Sequence, residues 1–253
     1  ETYPWLGQTT GFREWIGDRV IQNLALHDYT IKNKTFENTV GVPRENIEDD
    51  SYGVFSPLMA QLGQDAAEHP GSLVYDLLSN GFTLPCYDGQ NFFDTDHPVT
   101  NKAGAEVSKS NFQGGSGTPW FILDTSRVIR PIILQRRRNY QFVSMDQERD
   151  ENVFMRKEYV YGADGRLNAG FGLWQLAYAS RETLDATAFN DVFASMQTMT
   201  GDRDRKLGIR PRLLVVPPTL REQALEIVQA ERGANGSTNI NRNAVDVLVT
   251  PWL

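Results

Sequence analysis

The spacing of apolar residues changes several times along the chain, and each change marks a different predicted element. Between residues 56 and 80, apolar side chains recur at intervals of three and four, which predicts a long amphipathic helix that Gly81 can end. Pro70 lies inside this stretch and removes one backbone hydrogen bond. The pattern therefore predicts either one kinked helix or two helices in series.

Segments with period-two alternation, or rich in β-branched and aromatic residues, predict strands on both sides of that helix. Residues 29–42 alternate, with a change of parity near Asn33 that indicates a turn or bulge. The segments 120–135, 153–162 and 171–180 are dense in strand-forming residues. Between the helix and these strands, residues 86–118 are rich in Gly, Asn, Asp and Ser, which predicts an extended loop with a short hairpin.

The last part of the chain mixes helices and strands without a regular βαβ alternation. The predicted elements are a helix capped by Asp185 and ended by Gly201, a buried strand at 212–216, a helix opened by a Thr219–Glu222 capping box and ended by Gly233, and a strand at 244–250. This order predicts the α+β fold class.

Composition and charge narrow the classes of function. The chain of 253 residues has a formal net charge of -7 and a pI of about 5.1, which argues against a protein whose main task is to grip DNA or an anionic membrane. The net charge does not exclude a local basic patch that contacts DNA. One cysteine excludes an internal disulfide and a Cys-rich zinc site. No apolar run approaches the roughly 18 residues of a membrane span, so we expect no membrane partner.

The stretch CYDGQNFFDTDHP, residues 86–98, carries the densest set of chemical groups. Asp94, Asp96 and His97 could ligate a divalent metal, and Cys86 could act as a nucleophile with His97. A hydrolytic site needs further ligands, and the other two histidines show no ligand spacing. We therefore favour the interpretation that the aspartates form turns and that Cys86 is a small buried thiol. No cofactor motif is present, and no cofactor is expected.

A run of three basic residues, Arg136, Arg137 and Arg138, is a candidate contact site. The run could hold phosphates of a nucleic acid. Because strand-forming sequence precedes it, it is also typical of a solvated strand end or a contact with another subunit.

Several stretches, taken together and in order, resemble the major head proteins of Mu-like tailed bacteriophages. They are YPWLG (Tyr3–Gly7), FREWIGDR (Phe12–Arg19), YTIKNKTFENTVGVPRENIEDD (Tyr29–Asp50), AAEHPGSLVYDLLSNGF (Ala66–Phe82), CYDGQNFFDTDHPV (Cys86–Val99), ILDTSRVIRPIILQ (Ile122–Gln135), FGLWQLAY (Phe171–Tyr178) and LVVPPTL (Leu214–Leu220). None is diagnostic alone, but the ordered set covers nearly the whole chain.

This resemblance implies the tailed-phage major capsid fold of the Hong Kong 97 type, with a peripheral domain, an axial domain and an extended β-hairpin arm. We expect residues 1–50 to hold an N-terminal segment and the arm, with the arm within Phe12–Pro43. Residues 51–200 would be mainly peripheral domain with the spine helix, and residues 201–253 mainly axial domain.

The function that the resemblance implies is structural and not enzymatic: a subunit that forms pentamers and hexamers of an icosahedral head around double-stranded DNA. The implied partners are other copies of the chain, scaffolding, portal and decoration proteins, and the packaged DNA, with assembly in the bacterial host cytoplasm. Two alternatives are an encapsulin-like compartment shell and, with less support, a metal-dependent hydrolase that uses Asp94, Asp96 and His97.

Overall fold

The computed structural model describes residues 2–6, 26–50, 53, 55–233 and 236–253, and the predicted elements can be compared with it there. The predicted arm falls partly outside these described residues, because residues 7–25 are not among them. The described strands are β1 (Thr2–Leu6), β2 (Leu26–Thr30), β3 (Lys34–Pro43), β4 (His97–Thr100), β5 (Glu106–Lys109), β6 (Phe112–Gly115), β7 (Trp120–Leu123), β8 (Ile132–Met145), β9 (Glu158–Phe171), β10 (Ala177–Arg181), β11 (Thr200–Gly201), β12 (Arg205–Lys206), β13 (Leu213–Val216) and β14 (Asp246–Val249). The described helices are α1 (Arg44–Glu48), α2 (Phe55–Ser79), α3 (Glu151–Arg156), α4 (Ala186–Thr198) and α5 (Arg221–Val228).

The chain divides into two compact units, each assembled from separated segments. Unit 1 contains residues 31–74 and 134–170. Its sheet has the strand order β3-β9-β8, and β3 pairs antiparallel with β9 from Lys34 opposite Leu167 to Pro43 opposite Glu158. Most of β8 is exposed, so the buried part of this unit is small.

Unit 2 contains residues 2–30, 75–133 and 171–253 and holds a large aromatic core. Its five-stranded sheet has the order β14-β13-β7-β10-β6, with β7 antiparallel to both of its neighbours and the two outer pairs parallel. All four residues of β7 are buried, because the strand lies at the centre of the sheet. The apolar face of α4, which includes Phe189, Val192 and Met196, is buried as the helical spacing predicts.

The helix predicted around Pro70 forms as one element, α2, which continues through the proline. The predicted loop at 86–118 contains the short β4–β5 hairpin, in which His97 pairs with Lys109. None of the helices in the described ranges is both long and apolar enough to cross a bilayer.

Several predicted elements were wrong in detail. The predicted strand at 120–135 divides into β7 and the start of β8, and a 3₁₀ turn, Trp174–Leu176, interrupts the predicted strand at 171–180. Residues 153–156 of the predicted strand lie in α3, where the Asn152 side-chain amide donates to Met145 O at 2.9 Å and Glu158 O at 2.6 Å and so ties the ends of β8 and β9 together. Lys157 ends this helix in the left-handed conformation. The Thr219–Glu222 capping box does not form, because Pro218 starts a 3₁₀ turn that places Thr219 inside it, and α5 begins at Arg221 without a side-chain cap.

Candidate functional site

The densest polar cluster in unit 2 is built around His97, which opens β4 and is 0% exposed. Its Nδ1 lies 2.7 Å from Asp88 Oδ2, and its Nε2 lies 3.1 Å from Asn111 Oδ1. The ring stacks on Trp174 with the centroids 3.9 Å apart and the planes 8° from parallel. Polar groups this deep in a core need partners, and both ring nitrogens have one.

The hydrogen bonds of Asn111 fix the orientation of its side-chain amide. The Asn111 Nδ2 donates to Phe92 O at 2.8 Å and to two further carbonyls, those of Trp174 and Ala177, at 3.3 Å. Its Oδ1 therefore accepts, from Asp94 N at 3.0 Å and from His97 Nε2. Nε2 therefore faces an acceptor and Nδ1 faces a carboxylate, while the ring stacks on the Trp174 indole.

Asp88 is the common acceptor of this cluster. Besides His97, it accepts from the Cys86 thiol at 3.0 Å and from the Gln90 backbone at 3.1 Å. Burial by itself raises the pKa of Asp88, but the hydrogen bonds from His97 and Cys86 and the charge of His97 outweigh it, so the pKa lies below its ordinary value. The carboxylate is therefore ionised.

Cys86 is held as a protonated thiol. Burial, and then the hydrogen bond to Asp88, raise the pKa of Cys86 above its ordinary value. A nucleophilic cysteine needs a lowered pKa and an exposed position. Cys86 is buried, and its S–H donates to the Asp88 carboxylate. The geometry supports the interpretation of Cys86 as a structural residue.

Asp94, Asp96 and His97, weighed above as candidate metal ligands and not favoured, do not converge on one another. Asp94 Oδ1 accepts from Thr95 N at 2.7 Å, Asp96 accepts from the Ser108 hydroxyl, and the His97 ring faces Asp88 instead. In the described part of the chain, the converging group is Cys86, Asp88 and His97, whose ligand atoms lie within 4.8 Å of one another. Their hydrogen bonds to one another and to Asn111 account for this convergence, so the arrangement is a structural cluster.

The Arg136–Arg138 run lies in the exposed part of β8, in unit 1. Alternation along the strand places Arg136 and Arg138 on one face and Arg137 on the other. Arg136 and Arg138 line a groove of about 440 Å³ beside α2, together with small residues such as Ala66 and Ala67. The Arg138 guanidinium pairs with Asp164 on β9. The run therefore does not form one continuous cationic site.

Sequence reasoning missed two features of this molecule. It overlooked Asn111, because nothing in the local sequence marks an asparagine that bonds to segments far along the chain. It also overlooked the exposed basic residues between Arg203 and Arg212, although their density was a visible signal.

Comparison with known proteins gives a consistent result over the whole chain. Residues 1–253 match the family model of the Mu-like prophage major head subunit gpT. The major capsid protein of Escherichia phage Mu is 41% identical over 246 residues, covering 95% of this chain and 81% of that protein.

Solved phage capsids are similar in structure as well. The procapsid of bacteriophage JBD30 matches with a TM-score of 0.85 and 50% identity, covering 100% of this chain and 86% of that one. The JBD30 capsid decorated with minor capsid protein trimers matches with a TM-score of 0.82 and 37% identity, covering 100% of this chain and 85% of that one.

Proposed function

We propose a detailed role for this chain on one premise: it belongs to the family of Mu-like prophage major head subunits and is a major capsid protein with the tailed-phage capsid fold. In this role it assembles with itself into the pentamers and hexamers of an icosahedral head that encloses double-stranded DNA. The full-length match to a head-subunit family carries the proposal and sets the encapsulin-like alternative aside.

The surface of unit 1 supports assembly through contacts between copies. Phe142 and Val143 on β8 are each 56% exposed, and Phe154 and Met155 on α3 are 80% and 70% exposed. Large apolar side chains grouped at one end of a hairpin are typical of an interaction surface. We infer that neighbouring copies cover them in the shell. Contacts between unlike patches can close into rings, which is the geometry that pentamers and hexamers need.

We further propose that the protein acts without catalysis. The one converging polar cluster in the described residues is satisfied internally, and its thiol is protonated and buried. Scaffolding and portal proteins are proposed partners. A decoration protein is another, since the related JBD30 capsid carries minor capsid protein trimers. We place the mature protein in the virion capsid and its assembly in the bacterial host cytoplasm.

For Arg136, Arg137 and Arg138, we propose a contact with a neighbouring subunit in preference to DNA. Their side chains divide between two faces of β8, and one of them already pairs with Asp164. Neutralising all three should reduce the yield of shells. Unchanged assembly together with lost DNA retention would favour the DNA contact instead.

We also propose that unit 1, with most of α2, corresponds to the peripheral domain, and that unit 2, with β13 and α5, corresponds to the axial domain. This assignment keeps the spine helix at α2 and keeps the predicted axial elements together. The segment boundaries at 50 and 200 stay a prediction.

Negative-stain electron microscopy with size-exclusion chromatography tests the proposed function. Rings of five or six copies, tubes or closed shells are the expected result, with DNA inside particles taken from infected cells. A uniform monomer or dimer in every buffer would contradict it. Particles that hold a cargo enzyme and no DNA would support the encapsulin-like alternative.

A further inference from the structure

Unit 2 carries a concentration of exposed basic residues in a different stretch of the sequence from Arg136–Arg138. Between Arg203 and Arg212, the sequence RDRKLGIRPR contains five basic residues and one acidic residue. Arg203, Lys206, Arg210 and Arg212 are exposed. In the extended segment, Ile209 and Pro211 are buried, so Arg210 and Arg212 both point outward.

Hydrogen bonds bring a second loop alongside this segment. Arg127 donates from Nη2 to Leu207 O at 2.7 Å and to Gly208 O at 2.6 Å. The Arg210 backbone donates to Asp124 Oδ2 at 3.0 Å. Arg127 is exposed, and its guanidinium lies beside this segment. We call the residues Arg127, Arg203, Lys206, Arg210 and Arg212 the basic loop surface.

The turn that presents Arg203 is held in an unfavourable backbone conformation. Arg203 and Asp204 have φ values of 57° and 52°, a left-handed region that glycine or asparagine occupies at much lower cost. Asp202 Oδ1 accepts from Thr100 N at 2.9 Å, and Asp204 Oδ2 accepts from Lys102 N at 3.2 Å, so side chains on either side of Arg203 anchor the turn. Strain of this kind, fixed by surrounding bonds, is common where a side chain must be presented to a partner.

Basic groups outnumber the acidic groups beside this surface. Asp202 and Asp204 anchor the turn through backbone N–H groups, and the buried Asp124 accepts from Arg210 N and pairs with Arg127, whose Nε lies 3.7 Å from Asp124 Oδ2. Among the residues that the structure describes, Arg203, Lys206 and Arg210 form no ion pair within 4.0 Å. The backbone N–H of Asp246 donates to Arg212 O, so Asp246 lies at one edge of the surface. On a chain with a net charge of -7, this local excess of positive charge is the exception.

We propose that the basic loop surface binds the phosphate backbone of double-stranded DNA without reading its sequence. This inference rests on the proposed function, in which the shell encloses DNA, and it names the part of unit 2 that contacts the DNA. Arginine suits phosphate because its planar guanidinium can donate two parallel hydrogen bonds. The residues lie on short turns, an extended segment and the two-residue strand β12, and not on a long helix or ribbon that could enter a groove, so they match phosphates and not base edges.

The salt dependence of DNA binding tests this proposal. The full chain is used at a protein concentration low enough to keep it unassembled. The probe is a short fluorescent DNA duplex of random sequence, and anisotropy is measured between about 50 and 200 mM KCl. For R203Q/K206Q/R210Q, we expect weaker binding and a slope of log affinity against log salt that is smaller by about 3, since each lost phosphate contact contributes roughly 0.9. R203K/R210K, which keeps the charges, should retain the wild-type slope.

The matched control is K34Q/R149Q/R156Q, which removes the same charge from exposed positions of unit 1. Its slope should equal that of the wild type. Equal losses in both triple variants would overturn the proposal, because binding would then follow overall charge. Wild-type binding to polyglutamate but not to DNA would also overturn it, in favour of an acidic protein partner. Shells that form while subunits do not bind DNA would refute this inference alone, whereas a failure to form shells would contradict the proposed function.

Discussion

The two units of this capsid protein differ most in where they keep their apolar side chains. Unit 2 buries Trp120, Phe121, Phe171 and Trp174 almost completely, and it encloses His97, whose two ring nitrogens both have a hydrogen-bond partner. Unit 1 leaves most of β8 exposed, together with Phe154 and Met155 at its end. The first arrangement stabilises one copy by itself, and the second leaves apolar area exposed among the described residues, which a contact with another copy would remove from water.

This contrast fits a subunit that must fold before it assembles. A domain is stable by only a few kcal/mol, so one well-packed unit has to hold the chain in a single conformation. Surfaces left for neighbours contribute once the shell forms, when many modest contacts add together. Substitutions in unit 2 should therefore change the stability of the single copy, and substitutions at the end of the unit 1 hairpin should change assembly.

The largest effect is expected at Asn111. Asn111→Leu removes the acceptor of His97 Nε2 and of Asp94 N and takes one donor from three carbonyls, of which that of Trp174 still accepts from Ala177 N. Several buried polar groups that lose a partner should together lower the free energy of unfolding by about 3 to 5 kcal/mol. Urea unfolding of the unassembled chain measures the loss. Asn38→Leu, at an exposed position on β3, is the control, and an equal loss there would remove the distinction between the units.

The Asp88–His97 pair should make unit 2 sensitive to acid. The folded chain has a lowered pKa at Asp88, whereas the unfolded chain has the ordinary value of about 3.9. The stabilisation by this carboxylate is therefore complete above the ordinary pKa and is lost as the pH falls through the lower folded value. We expect the free energy of unfolding to fall less steeply below about pH 4 in Asp88→Asn than in the wild type. Asp191→Asn, at an exposed position on α4, should keep the wild-type slope; a parallel curve for Asp88→Asn would show that the pair is not ionised.

A smaller loss of stability is expected when the residue before a helix is replaced, and the two units should differ in its size. Asp185 caps α4 by accepting from Ala188 N at 2.8 Å, so Asp185→Ala should lower the free energy of unfolding by about 1 kcal/mol. Asp150 has the same position before α3 in unit 1, but its carboxylate accepts from Gln147 N and makes no bond to α3. Asp150→Ala should therefore cost clearly less in the same thermal or urea unfolding experiment. A larger loss at Asp150 would mean that α3 is more important for the single copy than its exposure indicates.

Much of this fold could be predicted because local rules determine it. Apolar spacing predicted α2, and the Asp185 cap with the apolar face behind it predicted α4. The rules failed where neighbouring residues imposed another geometry. Pro218 moved the start of α5 beyond Thr219, and the bonds of Asn152 turned strand-forming residues into α3.

The site was less predictable because its contacts connect distant parts of the chain. Asp94 and Asp96 stand beside His97 in sequence, yet the carboxylate that reaches the ring is that of Asp88. Arg136–Arg138 is the most compact basic run, yet strand alternation divides it, while the scattered residues from Arg203 to Arg212 lie on one exposed segment. Sequence shows which groups are available, but the direction of each side chain depends on the fold.

The smallest effect on stability is expected where the effect on assembly is greatest, at Phe154 and Met155. Both lie on an exposed face of α3, while Val153 beside them is buried. Phe154→Ser with Met155→Ser should change the free energy of unfolding by less than about 0.5 kcal/mol, because the single copy buries little of either side chain. The yield of shells, measured by electron microscopy and size-exclusion chromatography, should fall several-fold.

Ile240→Ser is the matched control for this double substitution, since Ile240 is 85% exposed but lies in unit 2. It should leave both stability and assembly close to those of the wild type. If Phe154→Ser with Met155→Ser instead destabilised the unassembled chain by several kcal/mol, unit 1 would depend on these side chains to fold. If both variants assembled normally, exposed apolar area would not indicate which surfaces meet in the shell. Only a loss of assembly confined to the unit 1 variant, at unchanged stability, would support the division between a unit that stabilises the copy and a unit that joins copies together.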